Sequence, residues 1–294
     1  MKNNIDVYQI VTDRIIAKLE QGVIPWRREW HGTLDGAFNR ISKKPYSLLN
    51  QMLLSHDGEY ASMKQWNQLG GRIKKGEKGE VVVFWKMLQS RSSHTEVDAD
   101  GNEEQVMKVK QIPVLKYYYV WHISQVEGVE PLDVKPSSNL DPITRAEEII
   151  DNYVSKDHLR LTNDRPSNRA YYSPSLDEVV VPMLGQFDHA NEYYSTLFHE
   201  LTHSTKHRSR LDRSNDQVSP FGSEEYSKEE LVAEIGSANM MNLLGIETPA
   251  TFNNSASYID NWLQVLKNDK KMIVSASSKA QKATEYILSF TDQQ

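Results

Sequence analysis

The residues with the clearest chemistry are His199-Glu200-Leu201-Thr202-His203, an H-E-x-x-H pentamer inside an amphipathic stretch. Histidines four residues apart on a helix are about one turn apart, so both imidazoles leave the same face and reach one ion. Glu200 beside them is placed to act as general base, the pattern of a metal-dependent hydrolase that uses Zn²⁺ or another divalent metal. The flanks demand a helix: Tyr193, Tyr194, Leu197, Phe198 and Leu201 recur at helical spacing, and no Pro or Gly intervenes until well beyond His207.

Two histidines do not complete a catalytic zinc site, which takes a third protein ligand and leaves one position open. The chain has no cysteine, so that ligand must be a histidine or a carboxylate. His207 lies two turns from His199 on a straight helix, about 12 Å along the axis, too far to share one ion. Ser204-Thr205-Lys206 supply no glycine bend, and His207 reads as a surface residue. The next helix offers better candidates in Glu229-Glu230-Leu231-Val232-Ala233-Glu234. Glu230 and Glu234 are i and i+4, so one can ligate while the other orients a histidine. Glu230 leads, with Glu234 as rival or partner; Glu229 is accounted for as a first-turn acid favoured by the helix dipole. Tyr171, Tyr172 and Tyr226 are candidate donors to a tetrahedral oxyanion. The hairpin expected over 169–181 could take an extended peptide by strand addition.

These residues occupy the second half of a 294-residue chain, a length that favours two domains. Residues 1–91 carry 15 Lys and Arg against 9 Asp and Glu, whereas the remainder carries 19 against 31, so a basic half precedes an acidic one. The basic half interleaves cations with aromatics: Trp26, Arg27, Arg28 and Trp30, then Arg40, Lys43, Lys44 and Tyr46, then Arg72, Lys74, Lys75 and Lys78. Single-stranded DNA asks for that mixture, cations for the phosphates and flat rings for unpaired bases. Trp85, inside a β-prone run, is expected in the core; for Trp26 and Trp30 a core place and a stacking role are comparable readings.

Periodicity predicts helices over 5–21, 47–55, 63–69, 144–154, 192–207, 228–244, 255–267 and 278–290. Strands are expected over 81–88 and 114–123, forming a long hairpin whose polar 90–107 segment is a mobile tip, and near 160–161, 170–172 and 178–181. The fold class is α+β in two domains, residues 1–130 for nucleic acid and 143–294 for the metal, joined by a Pro- and Ser-containing linker over 131–142. No apolar run approaches membrane-spanning length, Met1-Lys2-Asn3-Asn4 opens no signal-peptide core, and the absence of cysteine suits the cytoplasm. The expected partners are therefore single-stranded DNA and a protein or peptide substrate, with no membrane.

Several of these segments together resemble a known family. Gly22–Trp30 with its Pro-Trp pair, Tyr46–Asn50, and Gly70–Trp85 with Lys74-Lys75-Gly76-Glu77-Lys78 are similar to the N-terminal domain of ArdC-type antirestriction proteins. Phe198–His203, Arg210-Leu211, Phe221-Gly222 and Glu229–Glu234 resemble that family's zincin domain, in the same order along the chain. The resemblance implies a mobile-element protein that binds single-stranded DNA through its first domain and carries a zincin-like metallopeptidase fold in its second. It further implies metal ligation by His199, His203 and an acid of 229–234, with Glu230 favoured, and a catalytic Glu200. The chain departs from the family at Ser47-Leu48, where a Gly-containing stretch is usual, and in a longer insertion before Lys108.

Overall fold

Asp6 starts the first helix, α1 (Val7–Glu20), by accepting the backbone N–H groups of Tyr8 and Gln9, and Val11, Ile15 and Leu19 form its buried stripe. In the computed structural model that stripe does not stay within its own half of the molecule. The structure describes residues 6–26, 36–97, 103–132, 141–213, 224–246 and 256–291. The remaining elements of the first half are β1 (Ala37–Asn39), α2 (Leu48–Leu53), β2 (Gly58–Ala61), α3 (Met63–Gln68), β3 (Arg72–Ile73), β4 (Glu80–Val97), β5 (Glu103–His122) and β6 (Val126–Glu127). One sheet has the order β1-β2-β5-β4, with β3 and β6 forming a second two-stranded piece.

The hairpin of β4 and β5 is longer than the hydrophobic runs predict. Antiparallel pairing continues from Glu80↔Val120 out to Val97↔Glu103, so most of the segment expected as a mobile tip is paired ribbon. Val109 and Ile112 are β-branched residues that favour strand pairing among polar neighbours. The Asp98–Asn102 turn lies outside the described residues.

In the second half, α4 (Pro142–Lys156) begins with Pro at its first position and Asp141 as cap. Then come β7 (Arg160–Thr162), β8 (Tyr171–Ser173), β9 (Glu178–Val180), α5 (Ala190–Ser204), α6 (Glu224–Leu244), α7 (Ala256–Asn268) and α8 (Met272–Leu288). The three short strands form a sheet of order β7-β9-β8, with β8 at its edge and packed beside α5. Among the described residues no helix is long and apolar enough to cross a membrane.

Two large cores meet on α6. One gathers Tyr153, Val179, Tyr194, Leu197, Phe198 and Leu201 around Met240 and Met241. The other joins Val11, Ile15, Trp26, Leu49 and Met52 of the first half to Leu231, Val232, Ile235, Trp262 and Ile273 of the second. The first helix is thus built into the helices that end the chain, and the two halves share apolar packing. Their polar seams agree: Thr12 Oγ1 donates to the Lys270 carbonyl at 2.8 Å.

Candidate metal centre and basic surface

The pentamer lies in α5, where Tyr193, Leu197, Phe198 and Leu201 bury one stripe and leave His199 and His203 on the flank that meets α6. His203 faces Glu229 while the Ser237 hydroxyl donates to the Ser195 carbonyl, so α6 runs antiparallel across α5. The crossing is close because position 236 is glycine: a Cβ there would stand 2.6 Å from the Thr202 side chain. That approach brings the acids of α6 within reach of both rings.

His199 Nε2 and His203 Nε2 are 3.2 Å apart. The Glu230 carboxylate stands 3.5 Å from each of them, with Oε2 toward His199 and Oε1 toward His203. Ligands at ~2.0–2.1 Å from one tetrahedral ion are about 3.3–3.4 Å apart, so the two Nε2 atoms and the Glu230 carboxylate are spaced as three ligands around one ion. The donor set, two imidazoles and a carboxylate, suits zinc or manganese, and the fit to a divalent metal is good.

The other ring nitrogens also face carboxylates. Glu229 Oε1 is 3.5 Å from His203 Nδ1, and Glu234 Oε1 is 4.0 Å from His199 Nδ1. Glu234 therefore stands behind a histidine, and of the three α6 acids Glu230 is the one that faces both Nε2 atoms. Glu229 is the residue that sequence reasoning missed. The helix dipole explained it sufficiently, and only the crossing of the two helices turns it toward His203. Arg213 locks it there, donating to Glu229 Oε1 at 2.9 Å and to the Thr202 carbonyl at 3.0 Å. Burial opposes charge on His203, but Glu229 and Glu230 more than offset it and raise the imidazole to about 9. Burial likewise opposes charge on Glu229, yet His203 and Arg213 hold it down at about 2. Glu230 is lowered too, against its burial, by both histidines.

Glu200, 8% exposed, is on the same helix, close enough to His203 and Tyr226 for its charge to act on both. Of the three candidate tyrosines, Tyr171 is exposed on the edge strand and Tyr172 donates to Asp177 at 2.9 Å. Tyr226, in the first turns of α6, hydrogen-bonds Glu230; burial and that carboxylate raise its hydroxyl to about 12. His207 sits past the end of α5 with Nδ1 2.7 Å from the Ser209 hydroxyl, outside the cluster as expected.

The basic half is more dispersed. Trp26 is only 2% exposed, its ring edge-to-face with Trp262 at 6.2 Å. It is a core residue, and the expectation that it stacks on bases is corrected: the shared core between the halves encloses it. Arg40 is ion-paired to the buried Glu59, and Tyr46 is half-buried against Tyr60, so neither presents a free cation or ring. Lys43, Lys44, Arg72, Lys75 and Lys78 are exposed. Lys74, also exposed, donates to the Ser124 carbonyl at 2.7 Å. Arg27, Arg28 and Trp30 lie outside the described residues. Trp85, expected in the core, is half-exposed, lining a cleft of about 560 Å³ with Tyr8, Lys228 and Lys271.

Comparison with known proteins covers both halves. A family model described as the N-terminal domain of anti-restriction factor ArdC matches residues 5–121, and one described as a zincin-like metallopeptidase matches residues 146–279. Crystal structures of an antirestriction ArdC protein from the R388 plasmid, metal-free and Mn(II)-bound, are similar with TM-scores of 0.72 and 0.71 at 31% and 30% identity. Each covers 97% of this chain and 98% of the other. A protein of Sinorhizobium fredii named y4eC is 31% identical over 96% of this chain and 91% of its own length. Two Escherichia coli proteins named DNA primase TraC are 31% and 33% identical over 98% of this chain. The chain spans only 20% and 27% of their lengths.

Proposed function

The chain belongs to the ArdC antirestriction family, and from that premise we propose that residues 1–130 bind single-stranded DNA while residues 143–294 form a metal-dependent peptidase. The observation that carries the peptidase reading is the convergence of His199 Nε2, His203 Nε2 and Glu230 at mutual separations of 3.2–3.5 Å, with Glu200 alongside. His199, His203 and Glu230 would hold the ion, with Glu229 and Glu234 orienting the two rings from behind. A divalent ion bound there supplies Lewis acidity, making water a nucleophile near neutral pH and polarising a carbonyl.

The rest of the chemistry belongs to the chain. The Glu200 carboxylate takes a proton from the attacking water and returns it to the leaving amine nitrogen. The Tyr226 hydroxyl donates a hydrogen bond to the carbonyl oxygen as it gains charge. The strand β8, at the edge of its sheet among the described residues and beside α5, offers an outer edge on which an extended peptide can align. For DNA, the exposed Lys43, Lys44, Arg72, Lys75 and Lys78, with Lys74 beside them, supply phosphate contacts, and two relatives named DNA primase support a DNA partner.

The test is metal analysis of the purified full chain beside its Glu230→Ala and Glu234→Ala variants. Glu230→Ala is expected to lose the metal and Glu234→Ala to retain it with weaker affinity. Retention in both would refute the third ligand. Peptide-library cleavage by wild type, absent in Glu200→Gln with metal still bound, is the expected enzymatic result. No cleavage by metal-loaded wild type would leave DNA binding as the chain's activity.

A further inference from the structure

The β4–β5 ribbon sorts its charge by face. Residues directly opposite in an antiparallel ladder share a face, and successive residues alternate between faces. The pairs Val82↔Tyr118, Phe84↔Lys116, Lys86↔Val114, Leu88↔Ile112 and Ser90↔Lys110 therefore present Lys86, Lys110 and Lys116 on one side, together with Phe84 and Tyr118. No acid shares that side between Val82 and Ser90 or between Lys110 and Tyr118. Over the same stretch the other face carries Trp85, Met87, Gln89, Gln111, Pro113 and Leu115, with no charge until Arg91. On that second face Trp85 turns toward Tyr8 of α1, with ring centroids 6.4 Å apart.

The lysine face is open to solvent. Phe84 is 43% and Tyr118 37% exposed, their rings 5.7 Å apart at 67°, and all three lysines are exposed. Leu88 and Ile112 continue the apolar surface between Lys86 and Lys110. From Phe84 to Ser90 the ribbon runs about 20 Å. At its inner end Tyr118 is linked through its hydroxyl to Tyr46, which adjoins the exposed Lys43 and Lys44.

We propose that this face of the ribbon is the track on which single-stranded DNA lies. Lys86, Lys110 and Lys116 contact phosphates, and unpaired bases stack on Phe84 and Tyr118. The inference rests on the DNA-binding reading above and adds its surface. Charge complementarity selects a polyanion, since between Val82 and Ser90 this face carries three cations and no acid. The exposed rings select a single strand, because a duplex keeps its base faces stacked inside. Neither aromatic was singled out by the sequence: both fall in a run that reads as buried strand.

The test is fluorescence anisotropy of a labelled oligothymidylate with the full-length protein at several salt concentrations. Lys86→Ala with Lys116→Ala is expected to weaken binding at least about tenfold at low salt and to reduce the salt slope by about 1.4. Phe84→Ala is expected to weaken binding about tenfold with little change in slope. The control, Met87→Glu with Gln111→Glu, changes net charge by the same two units on the opposite face and should stay within about twofold of wild type. Each variant is compared at matched thermal stability. If both double variants lose affinity equally, overall charge and not the face is responsible, and the proposal fails. If wild type binds and the ribbon variants bind equally well, the DNA reading stands while the proposal falls. Wild type that does not bind the oligonucleotide, or that prefers a duplex or an acidic peptide, overturns both.

Discussion

The α5–α6 crossing and the β4–β5 ribbon are built on opposite principles. At the crossing the charged groups face one another: Glu230 faces both Nε2 atoms, Glu229 and Glu234 face the two Nδ1 atoms, and Arg213 holds Glu229. Gly236 sets the helix separation, and a core of aromatic and aliphatic side chains fixes the angle. Beyond Val83 and Leu115 the described ribbon side chains stand outside the cores, and between Phe84 and Ser90 they alternate between a lysine-bearing face and an uncharged one. Bond-breaking chemistry needs atoms placed within fractions of an ångström, which takes a packed frame. Binding a flexible strand without reading its sequence needs composition and reach, which an exposed ribbon supplies.

The largest effect should separate the two regions completely. Glu200→Gln keeps the shape of the side chain but removes the proton acceptor, so peptide cleavage is expected to fall about 10²–10⁴-fold at unchanged metal content. Oligonucleotide affinity of the same variant should equal that of wild type. A parallel loss of both would mean that the two regions act as one site.

Next in size is Trp26→Ala, expected to destabilise the chain by about 3–5 kcal/mol because it empties a core that both halves line. Chemical denaturation measures it. The milder Trp26→Phe variant is expected to fold and to bind oligonucleotide normally. Loss of DNA affinity at unchanged stability would instead return Trp26 to the binding surface.

The sequence made one region legible and hid the other for a physical reason. A helix has a fixed period, so His199 and His203 had to share a face, and Glu230 with Glu234 was a short list for the facing helix. What periodicity could not supply was the crossing angle, on which the role of Glu229 depends. For the ribbon, the β-prone runs located both strands but not their length, because pairing beyond Leu88 is sustained by scattered Val, Ile and Thr residues. The face of each lysine follows only from register. Trp26, open between core and surface in the sequence, is buried, and Trp85, expected in the core, is half-exposed, for a related reason: burial of a tryptophan is decided by which distant helix covers it, here α7 over Trp26.

A smaller effect tests whether the frame behind the histidines matters. Glu229→Gln leaves the three proposed ligands intact but weakens the group that orients His203, and metal affinity is expected to drop about 10–100-fold. A competition titration against a chelator measures it. Arg213→Lys should move in the same direction, since it loosens the lock on Glu229 without touching any ligand.

The smallest effect concerns acid. Arg210, whose side chain is fully buried, ties the end of α5 to two neighbouring elements by donating to the Ser204 carbonyl at 3.1 Å and to Asp177 at 2.7 and 2.8 Å, and by pairing with Asp157. Burial alone would raise the Asp177 carboxyl, but Arg210 and Tyr172 hold it below the ordinary aspartate value. A carboxylate whose folded-state value is depressed stabilises the fold fully above the ordinary value, and that contribution is lost as pH falls through the folded one. Thermal stability is therefore expected to decline below about pH 4 more steeply in wild type than in Asp177→Asn, which is less stable at neutral pH but has no proton to take up there. Ribbon binding to DNA should not follow this titration, because Asp177 pairs with Arg210 and Tyr172 of the second half and not with the ribbon. If oligonucleotide affinity tracked the Asp177 titration, the ribbon would depend on the same frame as the metal centre, and the contrast between the two regions would not survive.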